Sequence, residues 1–165
     1  MISIHDPIHG AIEVTRPELK LIDSHAFQRL RNIKQLGFAE LAFPGATHTR
    51  YAHSLGAMHM ATQIFDGIRV ELDLPEAEEK RIRQTLRLAV LFHDIGHPAL
   101  SHVSESIMPQ LSELNLEAWA NDDSRQANHE DYTLKIILHS HLYDLICEHV
   151  GELGVKPEHI AMLIA

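Results

Sequence analysis

Aromatic side chains are scarce in this chain, at 5% of its 165 residues. A core built largely without them is filled by Leu, Ile, Val, Ala and Met, a composition that leans towards packed helices. Cysteine is scarcer still. The single Cys147 cannot form a disulfide within the chain, which excludes a disulfide-stapled scaffold, and in its apolar helical stretch it reads as a buried, inert thiol. No uninterrupted apolar run approaches the ~18 residues that a membrane span requires. The opening Met1-Ile2-Ser3-Ile4-His5-Asp6 has no basic segment ahead of an apolar one, so no secretory signal is expected and the cytoplasm is the expected compartment. Positive charge is also short. A net charge of −9 with histidine neutral argues against sequence-independent nucleic-acid binding, while leaving room for a small anionic substrate in a locally positive pocket.

What the chain has in excess is histidine, fourteen residues with no consecutive tract among them. Its length suits one domain, residues 1–165, with a substantial core. Residues 2–5 and 11–14 alternate weakly about the turn-rich Asp6-Pro7-Ile8-His9-Gly10, which predicts a small hairpin. Everything after it reads as helix and loop. Pro17-Glu18 suits a first helical turn. Asp23 or Ser24 caps a helix expected to run to Gly37 with Phe27, Leu30, Ile33 and Leu36 buried, followed by a loop over 38–49. Further helices are expected over about 54–68, 79–95 and 129–150, with a last start at Lys156-Pro157-Glu158. The Asn121-Asp122-Asp123-Ser124 stretch reads as a loop or cap. The expected class is all-α, a helical bundle with a small N-terminal β-hairpin.

The chemistry concentrates in Leu91-Phe92-His93-Asp94-Ile95-Gly96-His97 and in His53, forty residues upstream. Imidazole nitrogen and carboxylate oxygen together suit a divalent metal, and a carboxylate at the end of an apolar helix calls for a cation. Adjacent residues on a helix point about 100° apart, so His93 and Asp94 can share an ion only where the helix ends, and Gly96-His97-Pro98 supplies that end. Taken singly, each residue also has a plain structural reading: His53 as a satisfied boundary histidine, Arg50 as a solvent-facing loop arginine. Arg50 gains interest because a guanidinium three residues before a ligand grips phosphate oxygens well. His102 with Glu105, and His129 with Glu130, place imidazoles beside carboxylates, as proton transfer to a leaving oxygen requires.

Six ordered segments go further. Asp6-Pro7-Ile8-His9-Gly10, Phe27-Gln28-Arg29-Leu30-Arg31, Ile33-Lys34-Gln35-Leu36-Gly37, Phe43-Pro44-Gly45-Ala46, His53-Ser54-Leu55-Gly56 and His93-Asp94-Ile95-Gly96-His97 together resemble the HD-domain phosphohydrolase superfamily, in its deoxynucleoside triphosphate triphosphohydrolase (dGTPase-like) branch. The resemblance implies His53, His93 and Asp94 as metal ligands, with Mn, Fe, Zn, Ni or Mg all compatible with the donor set. It implies Gln35, Arg50 and His97 as contacts to the nucleotide or its phosphates, and His102, Glu105 and His129 as the catalytic histidine and acid group. It implies Asp23, Gln28 and Arg31 as a site for a guanine nucleotide activator between subunits of a homo-oligomer. The implied reaction releases a deoxynucleoside and intact triphosphate by attack at the α-phosphorus. The family's fourth ligand is an aspartate well downstream of the His129 motif, whose position neither Asp131 nor Asp144 matches; Ala52 and Pro98 replace a common acid and a frequent glycine. The chain is accordingly expected to be the N-terminal portion of a longer enzyme. Two rival readings are a related hydrolase of nucleoside monophosphates or cyclic phosphodiesters, and a non-catalytic nucleotide-binding or assembly module.

Overall fold

The structure is a computed structural model that describes residues 2–116, 119 and 124–165, so Asp122-Asp123 lie outside the described residues. It begins with the expected hairpin: β1 (Ile2–Asp6) pairs antiparallel with β2 (Gly10–Val14), Ile2 opposite Val14 and Asp6 opposite Gly10. Asp6 closes the turn by accepting the Ile8 and His9 N–H groups, and Gly10 takes the positive φ of 70° that the tight reversal needs.

Seven α-helices follow among the described residues: α1 (Arg16–Ile22), α2 (His25–Gln28), α3 (Arg50–Ile68), α4 (Glu76–Phe92), α5 (His129–His139), α6 (His141–Val150) and α7 (Pro157–Ala161). Thr15 opens α1 with a capping box, its hydroxyl on the Glu18 N–H and the Glu18 carboxylate on its own N–H. The pairing of α3 with α4 forms the spine. Leu55 and Met58 from α3 meet Leu88, Leu91 and Phe92 from α4, and Ile12, Leu21, Phe27, Ile137, Ile146 and Ile160 close the core around them. Fully burying an aliphatic or aromatic side chain of this size contributes about 1.5–3 kcal/mol. A buried ion pair ties the first helix to this spine: Arg87 donates to both carboxylate oxygens of Glu18, at 2.6 and 3.0 Å, with neither residue more than 5% exposed.

Four expectations need correction. The helix from Ser24 does not reach Gly37: α2 passes into a 3₁₀ turn over Arg29–Asn32, and Ile33 turns extended so that its carbonyl accepts the Arg50 N–H, while Lys34 bridges Thr49. Leu36 consequently ends exposed rather than buried. The next helix starts at Arg50, capped by Thr49, so Arg50 and His53 lie in its first turn and not in the preceding loop. The stretch 129–150 is two helices, because Ser140 becomes extended (φ −128°, ψ 177°) and caps α6 through the Leu142 N–H. Finally, Cys147 lies on the outer face of α6 and is exposed.

Candidate metal centre

The site forms where α4 runs out. Its last residues carry an apolar face into the core, and beyond Phe92 the backbone unwinds through Asp94-Ile95-Gly96-His97, with the Ile95 N–H on Phe92 and the His97 N–H on Asp94. That unwinding swings Asp94 round towards His93 and towards the first turn of α3. His93 Nε2 lies 3.4 Å from Asp94 Oδ1, and His53 Nε2 lies 3.9 Å from Asp94 Oδ2. One donor atom from each of the three residues falls within 4.8 Å of the others.

The protonation of these donors suits a cation. His93 Nδ1 sits 2.7 Å from the Val90 carbonyl and can only donate to it, which leaves Nε2 as the ring atom facing the cluster. Burial holds the His53 imidazole below its usual value, against a smaller opposing pull from Asp94, so its ring is neutral near pH 7. For Asp94, burial raises the carboxyl, but His93 and Arg50 outweigh it and keep the group ionised, below the usual carboxylate range. Two imidazoles and a carboxylate converging at a helix end make a donor set that fits a divalent metal.

Arg50 stands behind Asp94. It is 2% exposed, donates to Asp94 Oδ2 at 2.6 Å and to Ser101 Oγ at 2.9 Å, and reaches the Gln35 carbonyl at 3.4 Å. Ser101 adopts a positive φ of 55°, rare for a residue with a Cβ, and this brings its hydroxyl onto Arg50 and onto the Lys34 carbonyl. The Gln35 side-chain Oε1 is buried without a hydrogen-bond partner.

A second group abuts the first. His97, fully buried, has no hydrogen-bond partner for either ring nitrogen, although Nε2 is 3.4 Å from Asp94 Oδ1. Burial, helped by the Arg50 charge, depresses its pKa to about 3, so it is a neutral ring. The His129 ring stacks on it at 3.9 Å between centroids, and His102 packs edge-on at 4.7 Å. Glu105 joins the two outer histidines, with Oε1 2.5 Å from His129 Nδ1 and 3.2 Å from His102 Nδ1. Burial raises the Glu105 carboxyl, but these two hydrogen bonds prevail and lower it. A cleft of about 490 Å³, lined by His53, His93, His129, Ala57, Leu86 and Val90 among others, opens beside both groups.

The candidate residues are therefore brought together with one exception. His53, His93 and Asp94 form one cluster, His97, His102, Glu105 and His129 the next, and Arg50 and Gln35 their rear wall. Asp23, Gln28 and Arg31 stand apart: Arg31 Nε donates to Gln28 Oε1 at 2.7 Å and its guanidinium lies 3.7 Å above the Tyr51 ring, while Asp23 is exposed at the end of α1. Sequence reasoning missed Ser101, whose hydroxyl accepts from Arg50, and Thr133 and Arg29, which meet the site only at its backbone groups. Nothing in their spacing announces such contacts.

Residues 50–159 match the HD domain family, and the chain belongs to it. The matched span contains every member of both clusters. Among similar proteins, the deoxynucleoside triphosphate triphosphohydrolase SAMHD1 homolog of Dictyostelium discoideum is 39% identical over 137 residues, 81% of this chain and 24% of that protein. Deoxynucleoside triphosphate triphosphohydrolase SAMHD1 of Homo sapiens is 40% identical over 100 residues, 61% of this chain and 16% of its own length. The uncharacterized protein MJ1154 of Methanocaldococcus jannaschii is 45% identical over 102 residues, 62% of this chain and 20% of its own length. The chain thus spans about a quarter or less of these relatives. Among the described residues no helix is long and apolar enough to cross a membrane.

Proposed function

We propose that the chain is the HD domain, residues 1–165, of a metal-dependent phosphohydrolase that converts deoxynucleoside triphosphates to deoxynucleoside and triphosphate in the cytoplasm. The observation that carries the reading is the convergence of His53, from the first turn of α3, with His93 and Asp94, from the turn that ends α4, to within 4.8 Å. The similarity to the Dictyostelium and human deoxynucleoside triphosphate triphosphohydrolases supports the substrate class.

A divalent ion (Mn, Fe, Zn, Ni or Mg) held by His53, His93 and Asp94 would supply charge neutralisation for a phosphoryl centre and a lowered pKa for water at an open position. The residues of the chain do the rest. Arg50 keeps Asp94 ionised and oriented, and adds a buried positive charge where α-phosphate charge develops. The unpartnered Gln35 Oε1 is an acceptor for a donor on the nucleotide, and the unpartnered nitrogens of the neutral His97 ring are offered to its phosphates. Glu105 accepts from Nδ1 of both His102 and His129, so each ring presents Nε2 outward. In this reading His102, 63% exposed at its side chain, protonates the 5′-oxygen as its bond to the α-phosphorus breaks, while the oxygen of water joins that phosphorus. Asp23, Gln28 and Arg31 are assigned to a guanine nucleotide activator at a contact between copies. Arg31 is exposed, and the Gln28 amide is fixed by donating to the Ile22 carbonyl.

The test combines metal content with product analysis. His93→Ala and Asp94→Ala are each expected to lose the ion that the parent protein retains, and inorganic triphosphate is the expected product from a deoxynucleoside triphosphate. Full metal occupancy in both variants sinks the ligand assignment. Orthophosphate from a monophosphate or cyclic substrate moves the protein to another reaction, and retained nucleotide without any product makes it a binding module.

A further inference from the structure

The turn that carries the His93–Asp94 dyad is a helix end, and helix ends leave carbonyls without intrahelical partners. Here those groups are taken by two residues distant in sequence. From one side, Arg29 Nη1 donates to the Ile95 carbonyl at 2.6 Å and Nη2 to the His97 carbonyl at 2.7 Å. From the other, the Thr133 hydroxyl accepts the Gly96 N–H and donates to the His93 carbonyl, both at 3.0 Å. Between them Gly96 has no room for a side chain: a Cβ there would lie 2.1 Å from the His129 carbonyl oxygen.

We propose that Arg29 is a positioning residue for the metal cluster, setting the pitch of the Asp94–His97 turn and thereby where Asp94 and His97 point. The inference rests on the metal reading of His53, His93 and Asp94. Three features favour positioning over a general surface role. Among the described residues no carboxylate pairs with Arg29, whose guanidinium donates to the two carbonyls. A planar fork with two parallel N–H vectors fixes the spacing and the plane of two alternate carbonyls, which a single donor cannot do. The residues flanking those carbonyls are the ones whose direction matters: Asp94 precedes Ile95, and His97 carries the second carbonyl itself. Arg29 touches none of the donor atoms and does not line the cleft beside them, so its effect reaches the cluster through the backbone.

Cobalt(II) is a suitable probe because its visible absorption reports ligand geometry as well as binding. Titration of the whole chain, with the cluster's band defined as the one lost in His93→Ala, gives affinity and spectrum together. Arg29→Ala is expected to weaken cobalt binding about 10–100-fold, as loss of outer partners of metal ligands commonly does, and to shift the band. Arg29→Lys, which keeps the charge but not the fork, should fall between that variant and the parent. Ile146→Ala opens a cavity on α6, whose helix bears no site residue. At the same loss of melting temperature it should leave affinity and band unchanged. Parent-like affinity and spectrum in folded Arg29→Ala would overturn the inference. So would an equal loss in Ile146→Ala, because destabilisation alone would then account for it. If Arg29→Ala does not fold, Arg29→Lys decides by the same two readouts. A parent protein that binds no cobalt defeats the metal reading and this inference with it, whereas cobalt bound equally by parent and Arg29 variants defeats this inference alone.

Discussion

The same substitution at two glycines should have opposite signs. At Gly96 a methyl group would sit 2.1 Å from the His129 carbonyl oxygen, 2.4 Å from the Thr133 nitrogen and 2.8 Å from its hydroxyl. Two of these are backbone atoms of the first turn of α5, so no side chain can rotate away. Restoring ordinary contact requires α5 and the Asp94–His97 turn to part by more than about 1 Å. Overpacking of this kind costs about 1–3 kcal/mol. The movement also lengthens the Gly96 N–H bond to Thr133, whose loss adds about 1 kcal/mol. A penalty of roughly 2–4 kcal/mol lowers the melting temperature of a chain this size by roughly 4–16 °C. At Gly67, inside α3, a Cβ would meet nothing within 4 Å. There Gly67→Ala should raise stability by about 0.5–1 kcal/mol, because alanine restricts the unfolded chain and favours helix. Thermal and urea unfolding followed by far-ultraviolet circular dichroism measure both. An unchanged melting temperature in Gly96→Ala would refute the packing of α5 against the turn described above.

Acid should attack the Glu18–Arg87 pair before the core. Burial raises the Glu18 carboxyl, but its hydrogen bonds to Arg87 and the Arg87 charge hold it below its ordinary 4.5. A carboxyl depressed on folding contributes stability above its unfolded pKa and loses it as pH falls through the lower folded value. Unfolding free energy should therefore fall below about pH 4.5, with a shallower decline in Glu18→Gln; identical slopes would count against the pair. Arg87→Met leaves that carboxylate buried without its partner and should cost about 3–5 kcal/mol at pH 7 by urea denaturation. Thr15→Ala removes the hydroxyl from the α1 capping box and should cost about 1 kcal/mol, again read from the urea midpoint.

Residues that announce themselves by periodicity or by turn chemistry were readable in the linear chain. The hairpin follows from alternation about Asp6-Pro7 and Gly10, and α4 from its apolar repeat ending before Gly96. The end of α4 beside His93 and Asp94 is legible because it depends only on neighbouring residues and a stop signal. What could not be read depends on partners far along the chain. The α2 segment gives up its helix because Ile33 and Lys34 find extended partners at Arg50 and Thr49, fifteen or more residues later. The break at Ser140 carries no glycine or proline to mark it, and a hydroxyl that caps one helix is indistinguishable by type from one in the middle of another. Cys147 was misplaced because apolar neighbours in sequence are not neighbours on one helix face: Ile146 is buried, and the next residue points to solvent. Arg29 shares its segment with a second arginine, Arg31, and only its distance to two carbonyls on a later turn distinguishes it.

The outward-facing thiol on α6 brings a practical gain. Because it is the sole sulfhydryl, a maleimide dye or nitroxide attaches to the wild-type polypeptide at one defined place, with no engineered cysteine and no background from others. The labelled helix holds none of the candidate site residues, so fluorescence anisotropy or paramagnetic broadening from that single tag can follow tumbling and association with both histidine clusters left untouched.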